Sequence, residues 1–187
     1  MNCDAVAMAQ SVLMQISVES KPVDRIETDA RQEGKDAASD GTDVHAAIEK
    51  HIRGELYDHQ YQPHITALKE ALAGKGLDLM EGSPEKVYVC STHGCRIDWI
   101  SKTGFAIVDY KTREEITGKT KAYDDQLLQL CGNWEAALPD AQPRLINAYI
   151  GRKDAKVWLH EWDAEDRMRG LLAWQSLVGY VLAMEGV

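Results

Sequence analysis

No uninterrupted apolar segment is long enough to cross a bilayer, and no basic stretch followed by a long hydrophobic run opens the chain. The expectation is a soluble, cytoplasmic protein. Internal repeats and low-complexity tracts are absent, which argues against a solenoid, and no helicase motor or target-recognition domain is recognisable. Positive charge is short: 21 Lys and Arg stand against 30 Asp and Glu, for a net charge of -9. Nucleic-acid affinity from bulk charge alone is thereby disfavoured, because phosphate contacts supply much of such affinity. Cysteine is sparse, with Cys3, Cys90, Cys95 and Cys131. Cys90, His93 and Cys95 offer three zinc ligands, but no second close pair completes a structural site, so free thiols packed in strands and helices are expected.

The 187 residues, 44% of them hydrophobic, suffice for one domain with a sheet flanked by helices. Periodicity predicts helices over 3–17, 23–53 and Ile65–Ala73, and strands over Val87–Ser91, Arg96–Ile100 and Phe105–Tyr110. A helix over Tyr123–Ala137, strands over Leu145–Ile150 and Lys156–Trp162, and a closing helix over Ala164–Met184 follow. Residues 20 to 42 are polar, and 1–40 read as a helical extension ahead of a core at 41–162 and a closing segment at 163–187.

The densest chemistry lies in GCRIDWISKTGFAIVDYKT. Side chains alternate faces along a strand, so Asp109 and Lys111 share one face and Tyr110 takes the other. A two-residue turn at Thr103–Gly104 would pair Lys102 with Phe105 and set Asp98 opposite Asp109. Two carboxylates suit Mg²⁺ or Mn²⁺, hard cations that take oxygen ligands and keep several waters, and a neighbouring ammonium offsets charge developing on a phosphate. A solvated charged stripe is the competing reading, yet Ile97, Trp99, Ile107 and Val108 imply burial, where charges need a reason. Upstream, GTDVHAAIEKHIRGE reads as a helix capped by Thr42 that carries His45, Glu49 and Ile52 along one flank.

Taken in order, GTDVH, the acidic residue of SPEKVYV, GCRID, IVDYKT and YDDQLLQL resemble the motifs of the PD-(D/E)XK nuclease superfamily. The nearest branch is that of the RecB nuclease domain and the mitochondrial genome maintenance exonuclease. The resemblance spans roughly residues 41 to 135 and implies a restriction-endonuclease-like αβββαβ core, an α/β (α+β) fold with a central mixed sheet flanked by helices. It implies metal ligation by His45, Asp98, Asp109 and the Tyr110 carbonyl, with Glu85 as the acidic motif residue and Glu81 as its neighbour in contention. Lys111 matches the catalytic lysine. Gln126 matches the glutamine that holds DNA near the scissile phosphate; the tyrosine four residues later is Leu130 here, and Tyr123 could supply a phenol on the same helix, although a core role for Tyr123 and Leu130 is the favoured reading. Iron–sulfur relatives place three cysteines after the glutamine helix, and nothing follows Cys131, so no cluster is expected.

The implied activity is a Mg²⁺- or Mn²⁺-dependent DNA exonuclease acting at ends or single-stranded tails in repair, recombination or phage DNA metabolism. The setting would be a bacterial or phage-infected cell, with a homo-oligomer or a recombination or replication protein as a further partner. Arg96, Arg113, Lys119 and Lys121 are candidate phosphate contacts, against a solvated-loop reading for the last two. Among the tryptophans, Trp134, Trp158 and Trp174 read as core, with Trp99 and Trp162 at exposed edges. Rival readings of the same residues are a non-catalytic DNA-binding or assembly subunit and a structure-specific or RNA-acting nuclease.

Overall fold

The structure is a computed structural model that describes residues 41–185. The expected helix over 3–17, the first part of the helix over 23–53, the extension 1–40 and Cys3 lie outside the described residues. A five-stranded mixed sheet runs in the order β1-β2-β3-β4-β5, with β1 Gly82–Val89, β2 Gly94–Ser101, β3 Ala106–Arg113, β4 Arg144–Gly151 and β5 Val157–Glu161. Neighbours are antiparallel except β3 and β4. That parallel pair requires a crossover, which helix α3 (Asp124–Ala137) supplies. Helices α1 (41–53) and α2 (Gln62–Ala73) precede the sheet, and α4 (Ala164–Glu185) closes the described chain.

Strand alternation assigns two cores. Trp99, Val108, Tyr110, Ile146 and Ala148 pack with Val44 and Ile48 of α1 and Ile65, Leu68 and Leu72 of α2. Ile107 and Leu145 pack on the opposite face with Leu127, Leu130 and Trp134 of α3. β3 and β4 are covered on both faces, which is why their sequences read as nearly continuous apolar runs.

Several expectations need correction. β1 begins five residues early because it is an edge strand, where Pro84 is tolerated. Gly82 opens it: a Cβ there would fall 1.9 Å from the ring of Trp99. That ring is 1% exposed, with Nε1–H donating to the Leu79 carbonyl, and Trp162 is 6% exposed. The two tryptophans read as edge residues are therefore core, whereas Trp158 and Trp174 are only half-buried. The β2–β3 turn is also built differently. Gly104, at φ 68°, donates its N–H to the Ser101 carbonyl, Ser101 Oγ accepts the amides of Phe105 and Ala106, and Lys102 N–H turns away to Glu81. Lys102 does not pair with Phe105, yet the register still sets Trp99 against Val108 and Ile100 against Ile107. Helix α1 already runs at Gly41, so Thr42 is not its cap. Leu130 is core as read, but Tyr123 is 53% exposed.

Candidate active site

The β2–β3 ladder ends at Trp99 and Val108. One step further, the Tyr110 N–H, which would otherwise continue it, donates to Asp98 Oδ2 at 2.7 Å. Asp98 thus replaces a main-chain acceptor where the strands part, and its other oxygen lies 3.9 Å from His45 Nδ1 on α1. The His45 ring meets the Tyr110 ring edge-on at 5.5 Å. In β1, Glu85 falls between the paired residues Pro84 and Lys86, level with Asp98, and adopts φ 51°. Such a backbone is uncommon for a residue with a side chain. Its Oε2 lies 2.8 Å from Arg96 Nε without hydrogen-bond alignment. Glu85 therefore sits inside β1 rather than ahead of a strand beginning at Val87, and Glu81 lies in the turn before Gly82, paired with Lys102.

Asp109 is 3% exposed. Lys111 Nζ lies 2.9 Å from Asp109 Oδ2 and donates to Oδ1 at 3.1 Å. Asn147 Nδ2 donates to Oδ2 at 2.8 Å, while its own Oδ1 accepts from Trp162 Nε1 at 2.8 Å. Because the indole can only donate, the amide orientation of Asn147 is fixed, and its NH₂ faces the carboxylate. Lys111 also donates to Gln129 Oε1 at 2.8 Å.

Burial dominates the electrostatics. It pushes the carboxyls of Asp98 and Asp109 each up to about 6; Glu85 adds to the rise at Asp98 and Asp98 to that at Asp109, partly offset by the Tyr110 N–H and by Lys111 respectively. Burial also lowers His45, against the pull of Asp109 and Glu85, and raises the Tyr110 phenol well above its ordinary value. Acidic groups thus face one another across a partly desolvated site and take up a proton more readily than free carboxylates do. Among the described residues, no three His, Cys, Asp or Glu side chains are gathered closely enough to hold a metal ion as they stand.

The remaining sequence candidates separate. Gln126 is buried, and its Oε1 accepts from Tyr149 OH and the Tyr123 amide, so this carbonyl caps α3 and ties it to β4. The Arg113 guanidinium lies 6.0 Å from the Tyr123 ring and 5.8 Å from the Tyr149 ring. Lys119 and Lys121 are exposed in the loop before α3, and Arg96 is engaged with Glu85. Asn147 and Gln129 escaped the sequence reading, as did the hydrogen bond by which Trp162 anchors Asn147. A lone polar residue inside LINAYI was the available signal for Asn147, and Gln129 lies one helical turn from Gln126. Cys90, Cys95 and Cys131 are free thiols. Cys90 Sγ lies 3.3 Å from His93 Nδ1, and His93 Nε2 reaches the Gly132 carbonyl at 2.9 Å.

No protein-family model matches this chain, and no curated protein matches it significantly.

Proposed function

We propose that this chain is a Mg²⁺- or Mn²⁺-dependent deoxyribonuclease of the PD-(D/E)XK superfamily, in the RecB-nuclease and mitochondrial genome maintenance exonuclease branch. It acts as an exonuclease on DNA ends or single-stranded tails in repair, recombination or phage DNA metabolism. The observation that carries the reading is the pair of desolvated carboxyls, Asp98 and Asp109, each at about 6, beside Lys111 and His45 where two strands part. Acids perturbed by desolvation beside a specific charge partner are the pattern of a functional site.

The donor set fits a hard divalent cation. Asp98, Asp109 and the Tyr110 carbonyl offer oxygen, neutral His45 offers nitrogen, and Glu85 is a further candidate. Mutual repulsion and burial, which now favour protonation, would equally favour a cation. When bound, the ion supplies Lewis-acid polarisation of the phosphate and a more acidic water. The chain does the rest. Tyr110 N–H holds the Asp98 carboxylate, and Asn147 with Trp162 behind it holds Asp109. The Lys111 ammonium, steadied by Gln129, stabilises charge growing on the phosphoryl oxygens or orients the attacking water. Loading a cation competes with the present Lys111–Asp109 ion pair.

A time course on end-labelled linear and circular DNA, single- and double-stranded, with Mg²⁺, Mn²⁺ or chelator tests this. The expected result is metal-dependent loss of linear DNA that Lys111→Ala does not show. Intact DNA under all these conditions would contradict it and favour a non-catalytic DNA-binding role.

A further inference from the structure

Register places more on the active face of the sheet than the acidic site. Lys111 pairs with Tyr149 across β3 and β4, and Tyr149 pairs with Trp158 across β4 and β5. Paired residues share a face, so the three side chains form a row with Trp158 two strands, or roughly 10 Å, from Lys111. Trp158 occupies the edge strand. Helix α3 packs across β1 to β4 on this face, whereas α2 covers the opposite side of β5. The ring of Trp158 lies 5.0 Å from Tyr149 and 5.7 Å from His160. These rings flank it on two sides, and the residue is only partly buried.

One cation stands on this side of the sheet beside the row, in a segment that also carries Glu114, Glu115, Asp124 and Asp125. Arg113 is exposed, stands over the rings of Tyr149 and Tyr123, and has no carboxylate partner among the described residues. Lys119 and Lys121 follow it in the chain, likewise without a carboxylate partner among the described residues. Elsewhere, Arg96 and Arg144 on the sheet and Lys153 and Lys156 in the β4–β5 connection are each engaged with acids. An aromatic ring packed in a row with the reacting centre, with an arginine over the neighbouring ring, is a combination that binds unpaired nucleotides without reading sequence.

We propose that Trp158 is a stacking seat for an unpaired base of single-stranded DNA, with Arg113 contacting the adjoining phosphate, on the path into the Asp98–Asp109–Lys111 site. The proposal rests on the nuclease reading and adds to it the residue that grips the strand. The seat falls on a tryptophan that the sequence placed in the core, whereas Trp99 and Trp162, read as edge residues, are sealed in it.

The test is quenching of tryptophan fluorescence by oligodeoxythymidylate in chelator, so that nothing is cleaved. It compares the wild type, Trp158→Leu, Trp158→Phe and Arg113→Ala, with urea midpoints recorded for each. Trp158→Leu should weaken binding by roughly 5- to 100-fold and lose most of the quench, and Trp158→Phe should recover affinity to within about threefold. Arg113→Ala should flatten the salt dependence. An oligomer of the same length built from abasic units should bind the wild type about as weakly as the thymidylate binds Trp158→Leu, an arm that needs no folded variant. Equal affinity for abasic and base-bearing oligomers, or unchanged affinity in Trp158→Leu, would overturn the stacking seat. If Asp109-dependent cleavage with Mn²⁺ persisted in that case, the nuclease reading would stand alone; absence of both binding and cleavage would remove both.

Discussion

Two ion pairs on the same sheet reach opposite electrostatic ends. At one end of β4, Arg144 grips Glu161 of β5 through two bonds, Nε to Oε1 at 2.7 Å and Nη2 to Oε2 at 2.9 Å, with Lys75 at 3.3 Å. These contacts hold the Glu161 carboxyl down at about 2. On β3, Lys111 stands 2.9 Å from Asp109, a comparable distance, yet that carboxyl is pushed up to about 6. Geometry is similar and the setting is not: Asp109 is almost wholly desolvated and shares its surroundings with Asp98, whereas Glu161 keeps partial access to water and meets two cations. The first pair fastens strands together. The second holds charge in a place that resists it, which is where binding and catalysis are expected.

The comparison breaks most sharply in activity. Lys111→Ala or Asp109→Ala should lower the rate of metal-dependent DNA cleavage on the order of 10³-fold, measured under single turnover, with the fold retained by circular dichroism. Arg144→Ala, at the other pair, should leave the rate per folded molecule unchanged.

Stability against pH separates the pairs next. The carboxyls of Asp98 and Asp109 lie above their unfolded values, so the native state binds more protons and metal-free stability falls as pH rises from about 4 to about 6. Each contributes up to about 3 kcal/mol of such loss. Asp98→Asn, whose side-chain oxygen still accepts the Tyr110 N–H, should therefore stabilise the metal-free protein at pH 7.5 and flatten that slope while abolishing cleavage; urea midpoints read it. Glu161 behaves inversely. Its carboxyl is depressed, so its stabilisation is present above about 4.5 and is lost as pH falls toward about 2. Arg144→Ala should cost about 1–3 kcal/mol at pH 7 by urea titration. The smallest expected effect belongs to Gln129→Ala, which frees Lys111 on one side and should slow cleavage about 3- to 10-fold without moving the urea midpoint.

Sequence patterns carried much of this architecture. Alternation in β2 and β3 gave the hairpin and the shared face of Asp109 and Lys111, because a strand's period of two is a local property. The order of helices and strands was legible for the same reason. Trp99 and Trp162 were misplaced because burial of an aromatic depends on what crosses it: Gly82 makes room for one, and Asn147 offers the other its hydrogen bond. Gln126 illustrates a different limit. Its motif position was visible, but its internal bonds to Tyr149 and the Tyr123 amide arise from tertiary packing that no local spacing encodes. The parting of the strands at Asp98 was likewise hidden, since the pairs Trp99–Val108 and Ile100–Ile107 fall as read and the ladder then gives way to the Tyr110–Asp98 hydrogen bond.

The central claim is that Asp98 and Asp109 are held ready for a divalent cation, and Mn²⁺ calorimetry at pH 6 and pH 8 in buffers of differing ionisation enthalpy tests it most directly. With carboxyls at about 6, binding at pH 6 should release about one proton and binding at pH 8 almost none, with Asp98→Asn and Asp109→Asn each weakening it strongly. Absence of Mn²⁺ binding, or binding that survives both substitutions without proton release, would contradict the account.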